Sequence, residues 1–320
     1  MFDLGKDKFN VLFMGTPEFA VDTLKMLVNT HNVLGVVTQP DKPQGRGYKL
    51  KSSPVKEIAL KYNLDVYQPD KIKGNIDFID KIKNMDLDLI IVVAYGKILP
   101  VDILNIPKFG CINSHASLLP RHRGAAPINF SIISGDNKSG ITTMFMDEGL
   151  DTGDIIEKYE VKIDENMTAG QLHDKLKVIS SEGIKDTLEK IKNGTITRQK
   201  QDDSQSTYAP MLTKEFGHID FSKSANDIVN LIRGLNPWPV AYCLYEEKKI
   251  KVYEAKNVSF IEDKYKNLDY GQIVKVNDEG ILVKCGIGFI LITTIQFESK
   301  KVMSIKSFLN GNIINKVKLN

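Results

Sequence analysis

Short apolar runs alternate with helically spaced apolar residues through the first half of the chain. The run Leu87–Ala94 is apolar at nearly every position, which is typical of a parallel strand covered on both faces. Strands separated by helices imply βαβ units and a mostly parallel, doubly wound, Rossmann-like α/β sheet. The predicted strands are Phe9–Met14, Asn32–Thr38, Leu87–Ala94, Cys111–His115 and Ile141–Met146.

Capping signals mark the predicted helices of this half. Thr16 is predicted to cap a helix whose first position is Pro17, where proline is tolerated because its missing N–H has no partner there. A second helix is predicted at Ser53–Tyr62. The sequence Thr168-Ala-Gly-Gln171 matches a capping box and predicts a long helix that ends near Asn193.

The pattern changes after this helix. Residues 195–210 are polar and predict a linker. A helix near 225–235 and five short alternating runs follow, which predict a small β-barrel of the oligonucleotide-binding (OB) type. The predicted organisation is a catalytic domain at 1–194, the linker, and an OB-like domain at 211–320. The predicted barrel strands lie near 241–245, 250–255, 271–276, 281–285 and 289–295.

Composition places the chain among soluble globular proteins. Its 320 residues suit two domains, and 42% are hydrophobic and 26% charged. The net charge is only +3, while residues 211–320 carry 16 Lys+Arg against 12 Asp+Glu. Any affinity for nucleic acid must therefore come from local patches. Three separated cysteines, no signal-peptide pattern and no apolar run of membrane-spanning length predict a cytoplasmic protein without membrane contact.

Asn113 and His115 stand two residues apart at the end of a predicted strand, so their side chains point to the same face. Open α/β sheets bind ligands at the carboxyl ends of their strands. An amide donates to a developing oxyanion, and an imidazole donates, accepts or shuttles a proton near neutral pH. The pair suits acyl chemistry. The alternative, on these two residues alone, is a polar strand end with satisfied hydrogen bonds.

Two carboxylates, Asp147 and Asp151, follow the predicted strand Ile141–Met146. An Asp close to a His orients the ring and raises its basicity, which would suit a role beside His115. Asp and Gly after a strand are also the usual composition of a turn. The residues by themselves leave both interpretations open.

Two further segments are candidates for ligand contact. Ser117–Pro120 directly follows His115 and offers two leucines for the wall of an apolar pocket. The segment Gln39–Pro54 is too polar for a core and predicts an exposed loop, either solvated or used in binding. Its charged residues are the single acid Asp41 and the bases Lys42, Arg46, Lys49 and Lys51.

Other chemistries lack their motifs. His115 and His122 with the nearby Asp residues do not have metal-ligand spacing, so no metal is predicted. After Gly15 the dinucleotide-binding pattern fails at its second glycine, and no phosphate-binding P-loop occurs.

Taken together, six segments resemble the folate-dependent formyltransferase family. The match runs from residue 11 to residue 239, and several long motifs in the same order make it specific. The chain departs from the family at Ser114 and Ala116, where a hydrophobic residue and a glycine are usual. The matching segments are VLFMGTPEFA at 11–20, VVTQPDKPQGRG at 36–47, VVAYGKILP at 92–100, GCINSHASLLPRHRGAAPI at 110–128, GLDTGDI at 149–155 and NPWP at 236–239.

The resemblance implies formyl transfer from the co-substrate 10-formyltetrahydrofolate to the α-amino group of methionyl initiator tRNA, by a monomer. Asn113, His115 and Asp151 fall on the family's catalytic positions. We expect the first two to stabilise the oxyanion, and Asp151 to orient His115 and assist proton removal. The family's folate-binding segment falls on Ser117, Leu118, Leu119 and Pro120. The loop with Lys42, Arg46 and Lys49 falls where the family reaches the tRNA acceptor end.

Three rival interpretations remain at this stage. The same N-terminal chemistry serves other amines, such as a glycinamide ribonucleotide or an amino-sugar nucleotide, but these do not combine the Arg46 loop, NPWP and a basic second domain. A non-enzymatic RNA-binding protein would leave Asn113, His115 and Asp151 without a purpose. A nicotinamide-dependent dehydrogenase is disfavoured by the missing glycines.

Overall fold

The computed structural model describes residues 7–44, 49–258, 265 and 267–320, which divide into two compact units. The first unit comprises Met1–Pro127, Ser139–Val161 and His173–Ala209, and the second comprises Ile128–Lys138, Lys162–Leu172 and Pro210–Asn320. The sequence-based boundaries at 194 and 211 stay predictions.

The elements up to residue 192 alternate between strands and helices, as the hydrophobic pattern predicts. In chain order they are β1 (Asn10–Gly15), α1 (Val21–Thr30), β2 (Asn32–Val37), β3 (Lys42–Gln44), β4 (Lys49–Lys51), α2 (Pro54–Lys61), β5 (Val66–Tyr67), α3 (Ile76–Lys83), β6 (Leu89–Val93), α4 (Val101–Leu104), β7 (Cys111–His115), β8 (Arg123–Gly124), α5 (Pro127–Ile133), β9 (Lys138–Phe145), β10 (Ile155–Lys162) and α6 (Ala169–Lys192).

A seven-stranded sheet carries the order β10-β9-β7-β6-β1-β2-β5. The neighbouring strands β5, β2, β1, β6 and β7 pair in parallel, each with the next in the sheet. Strand β9 pairs antiparallel to β7. All five residues of β6 are buried, because this strand lies in the middle of the sheet with apolar side chains on both faces. The predicted mostly parallel α/β sheet is therefore confirmed.

Two of the helices predicted before residue 194 begin with side-chain caps, and the predicted capping box is one of them. Ser53 accepts the Lys56 N–H at 3.1 Å and caps α2. Thr168 and Gln171 form the reciprocal pair of a capping box at the start of α6.

The predicted cap at Thr16 is wrong. A 3-10 turn at Glu18–Ala20 precedes α1, and no side chain caps it. Thr16 instead donates to the Tyr95 carbonyl at 3.4 Å and accepts the Gln39 N–H at 3.3 Å, which ties together the loops after β1, β2 and β6.

The remaining elements are mainly antiparallel strands. They are β11 (Tyr208–Ala209), α7 (Ala225–Gly234), β12 (Ala241–Tyr245), β13 (Lys248–Val258), β14 (Ile273–Asn277), β15 (Gly280–Lys284), β16 (Phe289–Phe297), β17 (Met303–Ser304) and α8 (Ile305–Leu309).

The second unit contains an antiparallel sheet in the order β12-β13-β16-β15-β14, with β17 paired to β16. The last residues of the chain form hydrogen bonds at both edges of this sheet, near β14 and at β12. Leu319 N–H donates to Gly271 O at 2.8 Å, next to β14, and Asn320 N–H donates to Leu244 O in β12 at 3.1 Å. All five strands predicted for the OB-like domain are present, with small shifts of their ends.

Candidate active site

Strand β7 presents Asn113 and His115 on one face of the first unit's sheet. Both side chains are buried, with 8% and 6% of their surface exposed. Ser114, between them, points to the opposite face, where its hydroxyl lies 2.7 Å from that of Ser180 in α6. The alternation of a strand therefore separates the polar pair from the helix-facing residue. No hydrogen bond to the Asn113 amide side chain occurs within the described part of the chain, so this donor is free for a ligand.

Asp151 approaches His115 from the loop between β9 and β10. Its Oδ1 lies 3.6 Å from His115 Nδ1, and its Oδ2 accepts the Gly124 N–H at 2.8 Å. Asp147, by contrast, holds the turn itself, since its Oδ1 accepts from Gly149 N–H and from the Thr152 hydroxyl. The sequence left two interpretations open for these carboxylates, a turn and a role beside His115. Asp147 has the turn role, and Asp151 lies beside the imidazole.

The ring of His115 is held at both nitrogens. Nε2 lies 2.9 Å from the carbonyl oxygen of His122, which only accepts, so Nε2 carries a proton in this arrangement. Nδ1 faces the Asp151 carboxylate, whose Oδ1 lies 3.6 Å away.

A polar segment after α6 supports this site. The His122 N–H donates to the Thr207 hydroxyl at 2.8 Å, and β8 pairs in parallel with β11, Arg123 opposite Tyr208. Residue 122, whose carbonyl contacts His115, is thus held by residue 207. The hydrophobic pattern gives no signal for these contacts, because the segment is polar and makes them through backbone and hydroxyl groups.

A cavity of about 810 Å³ opens beside the start of β7. Its lining includes Cys111, on the same strand face as Asn113, together with Met146, Asp147 and Glu148 at the start of the Asp151 loop. This volume lies in the range of sites for small organic ligands. Burial raises the pKa of the Cys111 thiol to about 12, so this sulfur stays protonated near neutral pH and is no nucleophile there.

The segment Ser117–Pro120 forms a packed turn after β7. Ser117 is fully buried, with its hydroxyl donating to Arg121 O at 2.6 Å, and Leu119 packs with Met144 and Ile155. Leu118 and Pro120 are partly exposed, and none of the four residues is among those that line the cavity. Their contact with folate stays a prediction.

The basic loop is described only in part. Lys42 in β3 is exposed and reaches Gln39, whereas Arg46 lies outside the described residues, as do its neighbours 45–48. Lys49 begins β4, which pairs with β3. The Lys56 ammonium bonds Asp41 at 2.6 Å and lowers the pKa of that carboxyl, so the one acid of the loop is paired.

The described residues show neither a metal-binding cluster nor a membrane-spanning helix. In residues 7–44, 49–258, 265 and 267–320, no group of three or more His, Cys, Asp or Glu side chains is placed to hold a metal ion. Over the same residues, none of the helices has both the length and the apolar character to cross a membrane.

The fold belongs to a known class of transferase. The chain is a member of the formyl transferase family: the family model described as "Formyl transferase" matches residues 7–188, and "Formyl transferase, C-terminal domain" matches residues 211–312. The resemblance inferred from the sequence motifs is confirmed.

Similar proteins include two methionyl-tRNA formyltransferases. That of Clostridium novyi (strain NT) is 52% identical over 304 residues, covering 95% of this chain and 97% of the relative. That of Clostridioides difficile (strain 630) is 51% identical over 305 residues, with the same coverage.

Solved structures agree on the fold. The sugar 3N-formyl transferase WlaRD, solved with dTDP and 5-N-formyl-THF, has a TM-score of 0.65 at 20% identity, covering 93% of this chain and all of that chain. HypX from Aquifex aeolicus, in complex with tetrahydrofolic acid, has a TM-score of 0.61 at 13% identity, covering 95% of this chain and 47% of that chain.

Proposed function

We infer that this chain transfers a formyl group from 10-formyltetrahydrofolate to the α-amino group of methionine on initiator tRNA. The observation that carries this conclusion is the identity of about half of all residues to methionyl-tRNA formyltransferases along nearly the full length of both chains. The similarity to the sugar formyl transferase is much lower, at 20% identity, and supports the shared fold alone.

The catalytic roles are part of the same proposal. As the methionyl amine attacks the formyl carbon, negative charge develops on the formyl oxygen. The Asn113 amide, which has no described partner, donates to that oxygen. The His115 Nε2–H, now bonded to the carbonyl of His122, rotates to become the second donor. Donors of this kind stabilise an oxyanion because they interact more strongly with the charge that develops in the transition state than with the neutral formyl oxygen.

Asp151 completes the proposed reaction. Its carboxylate orients His115 and accepts the proton that the attacking amine loses, directly or through one water. The bond between the formyl carbon and the folate nitrogen then breaks, and that nitrogen takes up a proton. The reaction as proposed uses no metal, because the amine is already a nucleophile and the formyl group is already activated on the folate.

We place the folate beside Asn113 and His115 at the carboxyl end of β7, where ligands of open α/β sheets bind. Ser117–Pro120, which directly follows His115, would contact the folate there. The folate carries the activated formyl group that the reaction transfers.

The proposed tRNA contacts are electrostatic. Lys42, Arg46 and Lys49 would meet the acceptor end, and the excess of four positive charges in residues 211–320 would attract the tRNA backbone. Translation initiation takes place in the cytoplasm, so we place the enzyme there. A monomeric state and the division into a catalytic domain, a linker and an OB-like domain complete the proposal.

A formyl-transfer assay with three acceptors tests this function. Purified protein is given 10-formyltetrahydrofolate and either methionyl initiator tRNA, methionyl elongator tRNA or free methionine. We expect formylation of the initiator tRNA alone. Folate-dependent transfer to a small amine, with none to the initiator tRNA, would contradict the proposed acceptor and favour a relative with the same chemistry.

A further inference from the structure

Asp151 is held in a backbone conformation that residues with a side chain rarely adopt. Its φ is +55°, in the left-handed region, and it is not a glycine. Such a conformation persists only where surrounding contacts determine it. The position of the carboxylate opposite His115 therefore depends on what holds the 151–153 backbone.

The side chain of Gln201 supplies that contact. Its amide nitrogen, Nε2, donates to the carbonyl oxygens of Asp151 and Gly153, each at 2.8 Å. An amide nitrogen has two hydrogens, so both are used and the loop is bridged on either side of Thr152.

Arg123 fixes the orientation of this amide. Its Nε and Nη2 donate to Gln201 Oε1 at 3.1 and 2.8 Å, and Nη2 also bonds the exposed Asp203 carboxylate at 2.7 Å. A flipped amide would turn its hydrogens against the guanidinium, so only one orientation is compatible with the neighbours. The next residue, Gly124, donates its N–H to Asp151 Oδ2. Arg123 thus holds the Asp151 backbone indirectly, through Gln201, and Gly124 holds the Asp151 carboxylate directly.

We propose that Gln201 is a positioning residue for the transfer reaction, acting through Asp151. This inference rests on the proposed function. Gln201 does not line the cavity, and among the described residues it has no hydrogen bond to His115. Its contribution is to keep the Asp151 carboxylate 3.6 Å from His115 Nδ1. Displacement of a catalytic group by about 1 Å lowers turnover by up to about 100-fold.

Two substitutions and one control separate this role from general support of the fold. Gln201→Ala removes the bridge. Gln201→Glu keeps both acceptor contacts with Arg123 but turns a carboxylate oxygen toward the two carbonyls. Gln205→Ala is the matched control, because Gln205 lies in the same segment and bonds only the exposed Asp202. Melting temperature, kcat and both KM values are measured for each protein.

We expect both Gln201 variants to lose about 10- to 100-fold in kcat, with KM for tRNA and folate within about twofold of wild type. Gln205→Ala should match wild type. A kcat within about threefold of wild type in Gln201→Ala would overturn the proposal. If Gln201→Ala does not fold, Gln201→Glu decides by the same criterion.

A double-mutant cycle with Asp151→Ala tests whether Gln201 acts through Asp151. We expect Gln201→Ala to change kcat by less than about twofold in the Asp151→Ala background, since nothing is then left to position. An undiminished additional loss would show that Gln201 acts elsewhere and would overturn the proposal.

A spectroscopic readout keeps this inference separate from the proposed function. The ring NMR resonances of His115 should shift in Gln201→Ala and stay in place in Gln205→Ala. An inactive wild-type protein would contradict the proposed function, while unshifted His115 resonances in Gln201→Ala would contradict the positioning role.

Discussion

Strand β7 and the segment 199–209 hold the proposed catalytic residues Asn113, His115 and Asp151 by opposite means. All five residues of β7 are buried, and the strand lies between β6 and β9. Most of segment 199–209 is exposed, and it contains only the two-residue β11 and a 3-10 turn at Asp203–Gln205. The comparison shows that contacts to the site come from an exposed, irregular segment as well as from a buried strand.

The physical difference lies in what orders each region. β7 is fixed by apolar packing and by two ladders of backbone hydrogen bonds. Segment 199–209 is ordered by hydrogen bonds to residues 122–126 and 151–155, such as Arg123 N–H to Thr207 O at 2.9 Å and Ala125 N–H to Ala209 O at 2.8 Å. Regions with few buried apolar contacts open locally at lower free energy than a core strand. Substitutions in β7 and in the segment should therefore have effects of different size.

The largest effects should come from the β7 side. Asn113→Ala and His115→Ala each remove a proposed oxyanion donor, which lowers kcat by about 100- to 1,000-fold. The control is Ser114→Ala on the other face of the strand, which should keep kcat but destabilise the fold by about 1–3 kcal/mol, because Ser180 loses its buried partner. Losses below about tenfold in both alanine variants would contradict the catalytic assignment.

The smallest effect should come from the basic loop, which belongs to neither supporting region. Arg46→Ala should raise KM for charged tRNA by roughly fivefold at most, because an exposed ion pair contributes up to about 1 kcal/mol. The KM for folate and the kcat should stay as in wild type. Steady-state kinetics with each substrate varied in turn checks this, and equal changes in both KM values would mean that the loop supports the fold instead.

The parallel sheet and the polar pair were predictable from periodicity. β6 is apolar because it is covered on both faces, and the two-residue spacing of Asn113 and His115 follows from the strand itself. The capping box at Thr168 was predictable because its signal lies within four consecutive residues. The family resemblance was predictable because it rests on several long motifs in the same order.

Contacts between irregular segments were not predictable. The approach of Asp151 to His115 depends on the left-handed backbone conformation of Asp151 itself. The Gln201 side-chain amide bonds Asp151, 50 positions earlier in the chain. Neither contact produces a periodic pattern of hydrophobic and polar residues in the sequence. The prediction of a cap at Thr16 is wrong for the same reason, because the Thr16 hydroxyl bonds Gln39 and Tyr95, which lie far along the chain.

Asp151→Asn tests the central claim most directly. Asn has the shape of Asp and can still accept the Gly124 N–H, but it removes the negative charge beside His115. We expect a folded protein with a wild-type melting temperature and a formyl-transfer kcat reduced by at least about 100-fold, because the proton acceptor is lost. An Asp151→Asn protein that transfers formyl to methionyl initiator tRNA within about tenfold of the wild-type rate would contradict the account.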